Sequence, residues 1–459
     1  MMTVSKNSTF LNKNIFILTL ISLLNFVTTA SITSDISFFI FNTVILIFAV
    51  GSYAVRKKCS EHFLFFLFFN IYTLLSIFVY YTQLVQFGMP AAFADEPGFF
   101  AVSYAFINDT PPSWANVGYL EILHRIDWVG YQLLISSLGW IFDIINVNSL
   151  IALKQVSVLF GALSVAYTYK LFFYFLQDGK QSFSLAFFFG LVPYVAMYSS
   201  VLLRDIIILF LTVYTIVHMV YFISGFKASL LKLSVGVLLL FFFRPENGLF
   251  MAGVVIVSFI VFNWIKISFI AKIIYLIILM IICALFFNMI YDEVAFRAFF
   301  VIQNSSERAL EHASESSLGK YLLLLPFPFD SIARAFFSQI QPFPVWGRMQ
   351  YNFALIVEMF AGVIWFPIFI LSIVTLSVKK YRVFISKEIK LLYFFALLYI
   401  LLIATGEANP RRLMAFYPII LLVAYLGYSR FSKVLKKQYL FILFFSMFLL
   451  HFIYLYIKY

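Results

Sequence analysis

The chain has 459 residues, of which 63% are hydrophobic and 11% charged, with a formal net charge of +12. Soluble domains average about 45–50% apolar and about 25% charged residues, so a water-soluble fold of this composition would expose a largely apolar surface, and the soluble classes are excluded. The basic balance could point to nucleic acid, but cytoplasmic loops of a polytopic membrane protein collect Lys and Arg for their own reasons. The 61 Phe and 28 Tyr residues read as lipid-facing bulk rather than as a binding code.

In chain order, residues 1–13 followed by an apolar run at 14–33 read as a first span rather than a removed leader. Apolar runs of the ~20 residues a crossing helix needs continue near 36–55, 63–86, 151–176, 183–201, 206–225, 229–243, 249–265, 270–290, 353–378, 389–405, 413–428 and 439–457. The expectation is an all-α polytopic membrane protein with about 13 transmembrane helices, the 229–243 piece being short. Residues 1–62 form a two-span extension, and residues 63–459 form the transmembrane core. The run 129–145 is also apolar, but its flanks fit a helix lying along the membrane surface.

Sidedness follows from counting basic residues. With the N-terminus cytoplasmic, the inner loops hold 20 of the 32 Lys and Arg against three acids, Glu61, Asp178 and Glu388. The net charge is therefore topological, and no nucleic-acid patch is needed. Counting 129–145 as a crossing would reverse every later loop and put the basic clusters outside. Two long polar segments result, about 87–128 and about 291–352, both external. Cys59 and Cys283 give neither a disulfide framework nor a Cys/His metal cluster.

Four charged segments stand out on the external side. Asp95 and Glu96 directly follow a span. Desolvation near the headgroups raises a carboxylate's pKa and makes it a better base, although acids in such loops are often simply solvated. Pro97-Gly98 argues for a turn leading into a short helix, while Trp114, Trp128 and Tyr131 read as interfacial aromatics. Arg204-Asp205, at the outer end of a span, is costly in hydrocarbon; it either binds phosphate or locks two helices as an ion pair. In Phe243-Arg244-Pro245-Glu246-Asn247-Gly248, the charges sit where Pro and Gly break a helix, and irregular backbone at membrane depth is tolerated in protein or along a cavity. Arg411 and Arg412 oppose the positive-inside rule, and paired guanidinium forks match phosphate and diphosphate; contact with outer-leaflet headgroups is the alternative. The second long segment carries Arg297, Glu307, Arg308, His312, Lys320, Asp330, Arg334 and Arg348 without a specific pattern, and His312 reads as solvated.

Taken together and in order, these segments resemble the GT-C superfamily, polytopic glycosyltransferases that take sugars from polyprenyl-phosphate carriers. ADEPGFFAVSYAF looks like the family's acidic first external loop, and YSSVLLRDIIILF looks like its second external acidic position. FFRPENGLF is similar to the basic position on its short helices, and NPRRLMAFYPIILL to its late helix start. The resemblance covers roughly residues 80–430. It implies Asp95 as the general base on the acceptor hydroxyl, with Glu96 as its neighbour or substitute. Arg204, Arg244, Arg411 and Arg412 would bind the carrier phosphate, supported by Asp205 and Glu246. A DxD motif and a C-terminal soluble domain are missing from the pattern, which leaves a divalent cation and the acceptor type open. The implied partners are a polyprenyl-linked sugar donor, a glycan or lipid-linked acceptor and membrane lipids, in a bacterial inner membrane making surface polysaccharide. The closest rival is a Wzy-type O-antigen or capsule polymerase, which shares the span number, the large external loops and the external Arg residues. A lipid-oligosaccharide flippase would instead show internal repeats and charges on both sides.

Overall fold

The computed structural model describes residues 60–93, 95–107, 110–115, 129–144, 149–226, 228–263, 325–326, 329–340, 353–405 and 409–458, with Asn25, Val27, residues 42–44 and Ile47. The regular structure of the described residues is helical, and no strand occurs among them. Apart from Asn25, Val27, residues 42–44 and Ile47, the expected spans at 14–33, 36–55 and 270–290 lie outside the described residues, as do Trp128 and most of the second long segment, His312 included. Among the described residues six helices are long and apolar enough to cross a membrane, or seven if one bent pair is a single span.

The helices are α1 (Ser60–Phe87), α2 (Asp95–Val102), α3 (Val129–Ile144), α4 (Leu150–Leu176), α5 (Gly179–Leu191), α6 (Pro193–Ser199), α7 (Asp205–Ile223), α8 (Ser229–Phe243) and α9 (Pro245–Asn263). Further along come α10 (Phe329–Phe337), α11 (Phe353–Ser377), α12 (Lys379–Arg382), α13 (Lys387–Thr405), α14 (Pro410–Leu413), α15 (Tyr417–Arg430) and α16 (Lys433–Lys458). Two compact units form. The first holds residues 1–217, 238–245 and 350–357; the second holds the remainder.

In the first unit, α1 and α4 pack along their length. Thr73 of α1 donates to Gln155 of α4 at 3.1 Å, and Tyr72 donates to the Gly190 carbonyl of α5 at 2.8 Å. The helix starts are written in the sequence. Ser149 caps α4 by accepting from Ala152 N at 3.2 Å, and Asp178 caps α5 by accepting from Lys180 N and Gln181 N. Such caps satisfy amides that the first helical turn leaves unpaired. Pro193 opens α6 at its first position, where its missing N–H costs nothing. The run expected as one span at 183–201 is consequently two helices, bent by 63°.

The local geometry corrects two further expectations. Pro97 and Gly98 do not make a turn ahead of a helix; they lie inside the first turns of α2, and both are buried. The break in FRPENG is a single residue, Arg244: Pro245 starts α9 at once, and Gly248 continues it. Among the described residues α3 spans 16 residues, about 24 Å at 1.5 Å per residue against a hydrocarbon core of ~30 Å. Its buried side chains Tyr131, Ile135, Ser136 and Phe142 form one stripe, and Leu133, Trp140 and Ile141 on the other faces are exposed. The stripe lies on the end of α2. Ser136 donates to the Val102 carbonyl at 3.0 Å, and a Cβ on Gly139 would stand 2.2 Å from the Ser103 carbonyl oxygen. Only a residue without a side chain admits that approach.

The second unit is built from α10–α16 and most of α9. Trp365 of α11 and Tyr417 of α15 stack with ring centroids 3.7 Å apart, and Trp365 donates to Gln339 at 3.0 Å. The basic turns at one end of this unit adjoin each other: the Arg430 guanidinium lies 4.6 Å over the Phe384 ring, and Tyr381 packs on Phe431.

Candidate functional site

One end of the first unit brings together Asp95, Glu96, Lys154, Arg204, Asp205 and Arg244. Helix α2 starts at Asp95, so two consecutive carboxylates enter its first turn. Consecutive helical residues point about 100° apart, and these two separate accordingly. Glu96 is fully buried, while Asp95 is half-buried. Glu96 Oε1 lies 3.2 Å from Lys154 Nζ and accepts from Leu202 N at 2.7 Å. Its Oε2 accepts from the amides of Ala92 and Phe93. Lys154 also donates to the Pro90 carbonyl at 3.2 Å and lies 5.8 Å from the Tyr80 ring centroid. Glu96 thus ties the 90–93 strap, the first turns of α4 and the irregular 200–204 segment to one carboxylate.

The second pair lies at facing helix ends. Asp205 opens α7 and Arg244 directly follows α8, and their Oδ1 and Nη1 atoms are 3.1 Å apart. An acid at a helix N-terminus and a cation at a C-terminus each complement the partial charge of the helix end. Both are nearly inaccessible, as is the neighbouring Arg204. Tyr131 completes the group. Burial first, then the charges of Glu96 and Asp205, hold its hydroxyl well above the ordinary tyrosine value; Arg204 opposes them, and Asp95 adds to them.

Of the residues singled out in the sequence, Asp95, Glu96, Arg204, Asp205 and Arg244 therefore share the first unit, with Arg244 bonded to Asp205. Arg411 and Arg412 belong to the second unit. There they occupy the first turn of α14, half-buried, with Asn409 capping Arg411 N at 3.1 Å. The Arg412 carbonyl accepts from Tyr399, whose hydroxyl accepts in turn from Asn247 at 2.8 Å. Glu246 is exposed on α9 in the same unit. Trp114 is stacked on Phe100 at 5.1 Å and serves packing. Asp330 and Arg334 pair with each other across one turn of α10 at 2.8 Å.

Sequence reasoning missed Lys154. Its signal was available: a cation in the first turns of a largely apolar helix has to be matched by a buried partner. Among the described residues no group of three or more His, Cys, Asp or Glu side chains is gathered as a metal would require. No protein-family model, curated protein or solved structure matches the chain.

Proposed function

We propose that this chain is an integral membrane glycosyltransferase of about 13 spans that uses a polyprenyl-(di)phosphate-linked sugar on the external face of a bacterial inner membrane, in surface polysaccharide synthesis. The observation that carries the reading is the buried Arg204–Asp205–Arg244 group at helix ends, in the same charged end as the half-buried Asp95. Asp95 takes the proton of the acceptor hydroxyl. The acceptor oxygen then bonds to the anomeric carbon, and the bond from that carbon to the phosphate oxygen breaks. The electron pair leaves on the phosphate, where Arg204 and Arg244 stabilise it. Glu96, with its partners already in place, acts by holding Asp95 in position. Arg411 and Arg412 are proposed as phosphate-binding residues of the second unit.

The test is complementation of a deletion strain with Asp95→Asn, reading surface polysaccharide on a gel and lipid-linked intermediates by mass spectrometry. The expected result is loss of product at normal protein level. A polymer lacking one sugar identifies a transferase, and accumulation of a single lipid-linked repeat unit identifies the polymerase. Product equal to wild type would remove the enzymatic reading of this end of the molecule.

A further inference from the structure

Tyr131 belongs to the charged end and has no part in the mechanism above. Its side chain is fully buried, and its hydroxyl has no hydrogen-bond partner among the described residues. Its position is fixed from three sides. The ring meets Phe99 edge-on at 4.7 Å, and Phe99 lies one turn along α2 from Asp95. A Cβ on the preceding Gly130 would stand 2.4 Å from the Phe242 carbonyl oxygen, so this backbone abuts the last turn of α8, two residues before Arg244. Further along α3, Ser136 is anchored on the Val102 carbonyl. The hydroxyl feels the charges of Glu96, Asp205, Arg204 and Asp95.

Leaving a buried hydroxyl without a partner costs free energy, and the fold accepts that cost beside a charged cluster. Among the described residues the formal charges there balance, with Lys154, Arg204 and Arg244 against Asp95, Glu96 and Asp205. An anion entering such a cluster gains little from net charge and depends on directed donors. A phenol that stays protonated supplies one without adding charge. We infer that Tyr131 is a phosphate-binding residue, whose hydroxyl donates to a phosphate oxygen of the lipid-linked donor. The inference rests on the glycosyltransferase reading for the identity of that donor.

The experiment uses the full chain in lipid nanodiscs, with undecaprenyl phosphate as probe and inorganic phosphate as the second ligand. Tyr131→Phe is expected to weaken undecaprenyl phosphate binding about 10- to 100-fold, the effect of one hydrogen bond to a charged group. The same variant without ligand should melt at or above the wild-type temperature, because the hydroxyl bonds nothing among the described residues. Unchanged affinity, or a lower melting temperature, overturns the inference and leaves the glycosyltransferase reading standing. Tight binding of inorganic phosphate that Tyr131→Phe also weakens supports the hydroxyl's role and counts against a lipid-linked donor. A wild-type protein that binds neither ligand contradicts both.

Discussion

Among the described residues the first unit contains two Glu–Lys pairs, both made by lysines of α4, and they differ in almost everything except distance. Glu61 and Lys170 stand 3.3 Å apart at one end with 19% and 25% of their side chains exposed; Glu96 and Lys154 stand 3.2 Å apart at the other with none exposed. The exposed pair trades water for a weak Coulomb attraction, and Lys170 also lies over the Tyr167 ring at 4.4 Å. The buried pair has lost its water and depends on every contact around it. A cell can lose the first at little cost, whereas the second organises the candidate site.

The comparison sets the order of expected effects. Lys154→Met leaves Glu96 as an uncompensated buried charge, and destabilisation by about 3–5 kcal/mol is expected. It should be visible as a lower melting temperature of the purified protein. Adding Glu96→Gln to that variant should recover a large part of the loss; a double variant as unstable as the sum of the singles would break the account of the pair. Gly139→Ala drives a methyl group into the Ser103 carbonyl. Overpacking of that kind costs about 1–3 kcal/mol, and melting curves check it. Glu61→Gln should shift stability by about 0–1 kcal/mol, and by less in high salt. A large effect there would erase the distinction between the two ends.

The smallest effect belongs to Asp178 at the same end as Glu61. The amide of Gln181, and after it the amide of Lys180, hold its carboxyl below the usual carboxylate range. A depressed folded-state pKa gives stabilisation that is present above the unfolded value and is lost as pH falls through the folded one. The melting difference between wild type and Asp178→Ala should therefore be present at neutral pH and shrink in acid. A difference constant with pH would remove the charge from the cap.

The charges were legible in the sequence because each is costly at membrane depth. That reasoning reached Arg204, Asp205 and Arg244 without knowing their partners, and the bond between Asp205 and Arg244 joins residues 39 apart in sequence. It reached Asp95 and Glu96 as a pair. Their division into a half-buried and a fully buried carboxylate depends on Lys154 and on the Leu202 amide, neither adjacent in the chain. Pro193 was visible, but whether a proline kinks a helix or starts a new one is decided by what packs beside it. Tyr131 was read as an interfacial aromatic, and a missing hydrogen-bond partner leaves no trace in the sequence. The extent of α3 was legible as the apolar run 129–145, although Gly139 became meaningful only with Ser103 against it.

The most direct test of the central claim compares wild type and Asp95→Asn, purified in nanodiscs, on the lipid-linked sugars extracted from the deletion strain. Undecaprenyl phosphate binding is measured on the same samples. Loss of a general base is expected to lower turnover about 100- to 10,000-fold, with binding unchanged. Turnover within a few-fold of wild type, or a fall in binding that matches the fall in turnover, would contradict Asp95 as the base at this site.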